Sequence, residues 1–255
     1  MQVKVNGYNI NYEVLGSGYP VVLVHGWLTD IESMRPIAEG LKDSFQVYLV
    51  DVIGFGKSDL PKEPLNSNKF GEFLRDFLKA VKIKNPVLIG HSNGGRTIIN
   101  AVGRRIVQPK KIVLIDSAGL IPKRSMKYHI KVKIAKTGKK VLSLMPNNKK
   151  MQEFTARLQK RMGSSDYNAS PEVLKQTMKH ILNEDVTELL PKINVPTLLI
   201  WGGLDVDTPI EQGRKMEKLI PDAGLVEYPY GSHFAYLENI QNVNVVLNEF
   251  LKDLK

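Results

Sequence analysis

Apolar residues fall along this chain in short unbroken runs, separated by stretches in which they recur every third or fourth position. The runs are PVVLVHG (20–26), QVYLVD (46–51), NPVLIG (85–90), KIVLID (111–116), VPTLLIWG (195–202) and GLVEYP (224–229). The first four, rich in Val, Ile and Leu, predict strands buried on both faces, as a parallel sheet requires, and the last two continue the strand pattern. The spaced stretches predict helices over 30–42, 67–81, 93–107, 209–220 and 238–254, with Asp30 a candidate N-cap for the first. At the amino terminus VKV and YNINYEV flank Asn6-Gly7, a pair suited to a type I′ hairpin turn. Strands alternating with helices imply a mostly parallel α/β sheet, with binding sites beyond the carboxyl ends of its strands.

One segment breaks the alternation. Residues 121–190 carry helical apolar spacing (Met126, Ile130, Ile134; Phe154, Leu158; Val173, Leu174, Met178) but no strand pattern. The economical reading is a core of 1–120 and 191–255 with a helical cap, 121–190, inserted before the last two strands. Charge marks the same boundary. The formal net charge is +10, and residues 121–190 alone hold 15 basic and 6 acidic groups. A solvated cap surface accounts for this excess; a cap drawn to anionic lipid or an anionic substrate is the sharper alternative. No RNA-stacking or DNA-reading signature accompanies the charge, so nucleic acid is not an expected partner.

Composition removes other classes. With no cysteine, disulfides, thiolate metal sites and cysteine nucleophiles are excluded. The start MQVKVNGYNINYEV has no signal-peptide pattern and no apolar run reaches membrane-spanning length, so a cytoplasmic protein is expected. The GKS at 56–58 lacks the glycine a P-loop needs five residues earlier, where Asp51 stands, and GFGKSD lacks the last glycine of a dinucleotide fingerprint. Asp51 and Ser58 then read as structural. No H-E-x-x-H or comparable cluster occurs, so neither a metal nor a cofactor is expected.

The chemistry gathers at strand ends. In VLIGHSNGGRT (87–97) Ser92 follows a strand directly and precedes a helix, the setting of a nucleophile on a sharp turn. Gly90, Gly94 and Gly95 leave room for that turn. The Asn93 amide would be one oxyanion donor, and the Trp27 amide, in the tight HGWL turn, the second. Of five histidines, His233 in YPYGSHFAYLE follows the last strand and can reach across the sheet edge as the base. His25 reads as a loop brace, His91 should point the other way along its strand, and His129 and His180 fall in the cap. For the acid, WGGLDVDTP offers Asp205 and Asp207, giving the chain order Ser, Asp, His.

Taken together, LVHGW, DVIGFGKSD, LIGHSNGG, LLIWGGLDVDTP and GSHFAYLE resemble, in order, the motifs of the α/β-hydrolase fold family. The likeness is to its small carboxylesterases, lipase-like esterases and cofactor-free haloperoxidase-type enzymes, and it covers all but the insertion. It implies that the acid stands three residues after the glycine ending its strand, hence Asp205, with Asp207 a loop residue and Asp116 an outsider. Glu238 matches a common family position and is expected to cap the final helix. The resemblance implies a serine hydrolase of carboxylic esters, acting on a small-molecule ester. Alternatives are the same triad on another bond (a C–C hydrolase, thioesterase or aminopeptidase) or a slow-turnover ligand sensor. The acidic pair Glu184-Asp185 would favour the peptidase if it held a substrate amine. An aspartate nucleophile, used by related epoxide hydrolases and dehalogenases, is absent from the elbow, and oligomeric state is left open.

Overall fold

The computed structural model describes residues 1–121 and 170–255. Its sheet has eight strands: β1 (Gln2–Val5), β2 (Tyr8–Leu15), β3 (Tyr19–Val24), β4 (Phe45–Val50), β5 (Val87–His91), β6 (Lys111–Ile115), β7 (Thr197–Gly202) and β8 (Ala223–Tyr228). Their order is β1-β2-β4-β3-β5-β6-β7-β8. The Asn6-Gly7 hairpin pairs β1 with β2, and β2 runs antiparallel to β4; all other pairs are parallel. The mixed character is confined to one edge.

Period-two alternation sorts the strand side chains into two cores. Val22, Val24, Leu88, Ile112, Leu114, Leu199 and Trp201 face one layer, with α2 (Ser67–Ala80), α3 (Asn93–Gly103), α4 (Glu172–Ile181) and α5 (Ile210–Leu219). Val21, Leu23, Val87, Ile89, Val113, Ile115 and Ile200 face the other, with α1 (Ile31–Leu41) and α7 (Ile240–Phe250). Because both faces are covered, the strands read as continuous apolar runs. Each fully buried Leu, Ile or Val contributes about 1.5–3 kcal/mol.

Helix starts follow local chemistry. Asp30 caps α1 by accepting from the Glu32 amide at 3.0 Å, and Asn66 caps α2 by accepting from Lys69 at 2.9 Å. Helix α3 stops at Gly103, short of the expected 107. Arg105 turns to φ 59°, and the Ile106 amide folds back onto the Ala101 carbonyl at 2.8 Å, closing the helix without a glycine. The expected final helix 238–254 is split. A short α6 (Ala235–Glu238) precedes α7, with Asn239 (φ −125°, ψ 30°) breaking the helical path.

Of the expected cap, residues 122–169 and with them His129 lie outside the described residues. The described remainder, α4 and a 3₁₀ turn (Thr187–Lys192), packs on the core side. The Leu65 amide donates to Thr177 Oγ1 and the Ser67 amide to Glu184 Oε2, each at 2.9 Å. Buried Arg96, on α3, donates to the backbone carbonyls of Ile181 and Glu184. His180 is exposed on α4. No helix among the described residues is long and apolar enough to cross a membrane.

Candidate active site

Strand β5 ends at His91, and the chain turns into α3 through Ser92 at φ 52°, ψ −115°. That conformation is sparsely populated for a residue with a Cβ and costs about 1–3 kcal/mol, so packing must hold it. The packing is close: a Cβ at Gly94 would run into the Val24 carbonyl, and one at Gly90 into the backbone of Gly94. The side chain of Ser92 is thereby lifted to the carboxyl edge of the sheet.

The loops that follow β7 and β8 meet it there. His233, after β8, brings Nε2 to 3.0 Å from Ser92 Oγ, and its Nδ1 lies 2.8 Å from Asp205 Oδ2. Asp205, after β7, also accepts from Thr208 Oγ1 at 2.6 Å and from the amides of Asp207 and Thr208 at 2.8 and 2.9 Å. Burial alone would raise the Asp205 pKa, but the hydrogen bonds from His233 and Thr208 outweigh it and hold the carboxylate below its ordinary range. An ionised Asp205 fixes the proton of His233 on Nδ1, which leaves Nε2 free to accept from Ser92. Asp207 is exposed and contributes only its amide. Asp116 faces the Gly202 amide at 2.8 Å and not His233.

The two expected donor amides also reach this edge. Among the described residues neither the Trp27 nor the Asn93 amide has an acceptor. Asn93 opens α3, where the free amides and the helix dipole favour negative charge. The Trp27 amide is aimed by His25. His25 Nε2 accepts from the Val52 amide at 3.0 Å, so Nδ1 carries the proton and donates to the Gly26 carbonyl at 2.7 Å. Thr29 Oγ1 donates to the same carbonyl at 3.1 Å. In a planar trans peptide the N–H opposes the C=O, so tethering the Gly26 carbonyl points the Trp27 amide the other way.

The His233 loop is braced on both sides. His91 Nε2 donates to the His233 carbonyl at 2.8 Å; burial pushes the His91 pKa down to about 3, so the ring is neutral. Glu238 does not cap the final helix. Its carboxylate reaches back to Ser232, accepting from the amide at 2.9 Å and from Oγ at 2.5 Å. With α6 and α7 split at Asn239, Glu238 ends α6, and its carboxylate satisfies the Ser232 amide. Sequence reasoning passed over Thr208, the His91 brace and this use of Glu238. Only Thr208 carried a local signal, since D-x-D-T fits an Asx-type turn closing on Asp205.

Among the described residues one group, Asp205, Asp207 and His233, has ligand atoms within 4.8 Å of one another, the spacing a cation needs. Two of the three are bonded to each other at 2.8 Å. The GKS turn is organised around Asp51, whose carboxylate accepts from the Ile31 and Lys57 amides and from Asn11, the last at 2.8 Å. The acidic pair Glu184-Asp185 is already bonded, Glu184 to the Ser67 amide and Asp185 to the amide and hydroxyl of Thr187.

Residues 19–131 match a family model described as alpha/beta hydrolase fold, and residues 175–255 one described as TAP-like protein. A pimeloyl-(acyl-carrier protein) methyl ester esterase of Legionella pneumophila (strain Paris) is 30% identical over 258 residues, covering 96% of this chain and 100% of the relative. A 2-hydroxy-6-oxo-6-(2'-aminophenyl)hexa-2,4-dienoic acid hydrolase of Metapseudomonas resinovorans is 27% identical, covering 93% of this chain and 85% of its own. Among solved structures, an esterase from Exiguobacterium antarcticum superposes with a TM-score of 0.77 at 22% identity, covering 99% of each chain.

Proposed function

The chain belongs to the α/β-hydrolase fold family, and from that premise we propose that it is a serine hydrolase cleaving carboxylic esters through an acyl-enzyme. The observation that carries the reading is the hydrogen-bonded line from Ser92 through His233 to Asp205, at 3.0 and 2.8 Å. Ser92 Oγ attacks the ester carbonyl while His233 Nε2 takes its proton, and Asp205 stabilises the imidazolium that forms. The Trp27 and Asn93 amides receive the oxyanion; a donor of this kind contributes about 3 kcal/mol in the transition state. The imidazolium then protonates the leaving alcohol. Water, activated by the same histidine, breaks the acyl-enzyme.

The substrate is a small-molecule ester. The Legionella relative, a methyl ester esterase by name, supports a small alcohol group. A second reading, hydrolysis of a carbon–carbon bond by the same residues, draws on the Metapseudomonas relative. The aminopeptidase reading loses its best support, because Glu184 and Asp185 are bonded to Ser67 and Thr187.

Steady-state turnover of p-nitrophenyl esters of graded chain length tests the proposal. Short to medium chains are expected to turn over fastest, and Ser92→Ala to lose at least about a thousandfold in kcat while remaining folded. A folded Ser92→Ala enzyme with wild-type turnover would sink the mechanism. A single burst followed by a stall would favour the ligand sensor.

A further inference from the structure

Behind Asp205 lies a second carboxyl group that the mechanism above does not use. Asp116 follows β6 at φ 42°, an uncommon conformation for a residue with a side chain, and is fully buried. Its Oδ1 accepts one hydrogen bond, from the Gly202 amide at 2.8 Å; its Oδ2 has no donor among the described residues. Its backbone carbonyl shares Thr208 Oγ1 with the Asp205 carboxylate, at 3.0 and 2.6 Å. The charge of the Asp205 carboxylate bears on the Asp116 carboxyl group.

Two adjacent buried carboxylates cannot both stay ionised at neutral pH, and their surroundings decide which one does. Asp205 accepts from His233, Thr208 Oγ1 and two amides. Asp116 has a single donor and no lysine or arginine among the described residues paired with it. The charged and titratable groups around it, Asp205 beyond β7 and Glu238 and Tyr236 on α6, are acidic. Burial, then the charge of Asp205, push the Asp116 pKa up to about 9 against the opposing Gly202 bond.

We propose that Asp116 is a positioning residue, held as a carboxylic acid that donates its O–H to the Asp205 carboxylate while accepting from the Gly202 amide. It thereby ties the end of β6 to the end of β7 and supplies Asp205 with a fifth hydrogen bond. The acid donor draws charge from Asp205 and sets how basic His233 becomes. This inference rests on the ester-hydrolase reading for its kinetic consequences, and on nothing beyond the fold for its effect on stability.

The test compares wild type, Asp116→Asn and Asp116→Ala across pH 5–10 on p-nitrophenyl butyrate, with Ser92→Ala as control. Asparagine can present an N–H to Asp205 and an oxygen to Gly202 without a proton to lose. Asp116→Asn should therefore keep kcat within about threefold at pH 7.5, and should abolish a fall in wild-type activity above about pH 9. Asp116→Ala, lacking the donor, should lose about tenfold in kcat and move the acidic limb to higher pH, because an unrelieved Asp205 makes His233 more basic. Thermal midpoints give a readout independent of turnover. The folded wild type keeps a proton that the unfolded chain releases above about pH 4, so its stability relative to Asp116→Asn should decline as pH rises from 5 to 8.5. A midpoint difference that does not change with pH overturns the inference, whatever the activity. If Ser92→Ala retains turnover, the ester-hydrolase reading fails; if it is inactive while Asp116→Asn shows the wild-type alkaline limb, this inference alone fails.

Discussion

Replacing Asp205 by asparagine changes one atom and should reverse the proton order of the site. Apart from the donor proposed at Asp116, the carboxylate takes four hydrogen bonds: Oδ1 from the amides of Asp207 and Thr208, Oδ2 from His233 Nδ1 and Thr208 Oγ1. In Asp205→Asn the side-chain oxygen must stay on the two backbone amides, which cannot turn away. The new NH₂ group then faces His233 and Thr208. Thr208 can accommodate it by accepting, since its own hydrogen can swing to the Asp116 carbonyl at 3.0 Å. His233 cannot keep its proton on Nδ1 opposite an N–H donor. The proton moves to Nε2, 3.0 Å from Ser92 Oγ, where a base is required. Trapping the wrong tautomer in this way costs about 10⁴ in kcat, or about 5.4 kcal/mol at 1.36 kcal/mol per tenfold. The assay is steady-state hydrolysis of p-nitrophenyl butyrate with circular dichroism as the check on folding. Asp207→Asn, altering an exposed side chain, is the control expected to match wild type. A folded Asp205→Asn enzyme within tenfold of wild-type kcat would refute both the acid's identity and the tautomer argument.

Two further outcomes concern stability. Gly94→Ala drives a methyl group into the carbonyls of Val24 and His25, and should destabilise by about 3 kcal/mol, the upper part of the overpacking range. Gly224→Ala, with no atom within 4 Å of the added carbon, should stay within about 1 kcal/mol of wild type; equal urea midpoints for the two would discredit the packing account of the elbow. His91 titrates at about 3 in the folded protein and near 6.5 when unfolded. Between those values the unfolded chain binds the extra proton, so stability declines as pH falls from about 6.5 toward 3, by roughly 3 kcal/mol at pH 4. His91→Gln can still donate to the His233 carbonyl and should flatten that decline; an unchanged slope would show that His91 is not its source.

The sheet was legible because burial on both faces writes β5, β6 and β7 as apolar runs, and the five strand-end motifs fell in chain order. Strand order in the sheet was not legible, since pairing β4 between β2 and β3 depends on contacts that no single segment encodes. The end of α3 was overshot because Arg105 adopts positive φ without being a glycine. Ser92, His233 and Asp205 could be picked out as residue types at strand ends, and the structure brings their side chains together. What surrounds them could not be. His91 reaches the His233 carbonyl across 142 positions of chain, and Glu238 turns back to Ser232 where a cap for α7 was expected. Such braces are made by ordinary residues whose partners are chosen only by the folded backbone.

The moorings of α4 have a consequence for how such a protein can change. Arg96 sits on α3, four residues beyond Ser92, and together with Thr177 and Glu184 it joins the segment 177–184 to α3 and to the start of α2. A graft that replaced everything between Ile121 and Ser170 would leave all of these bonds in place. A seam at Ile121 and Ser170 therefore leaves these bonds untouched, whereas a cut within α4 would sever the Thr177 bond from the Glu184 and Arg96 bonds.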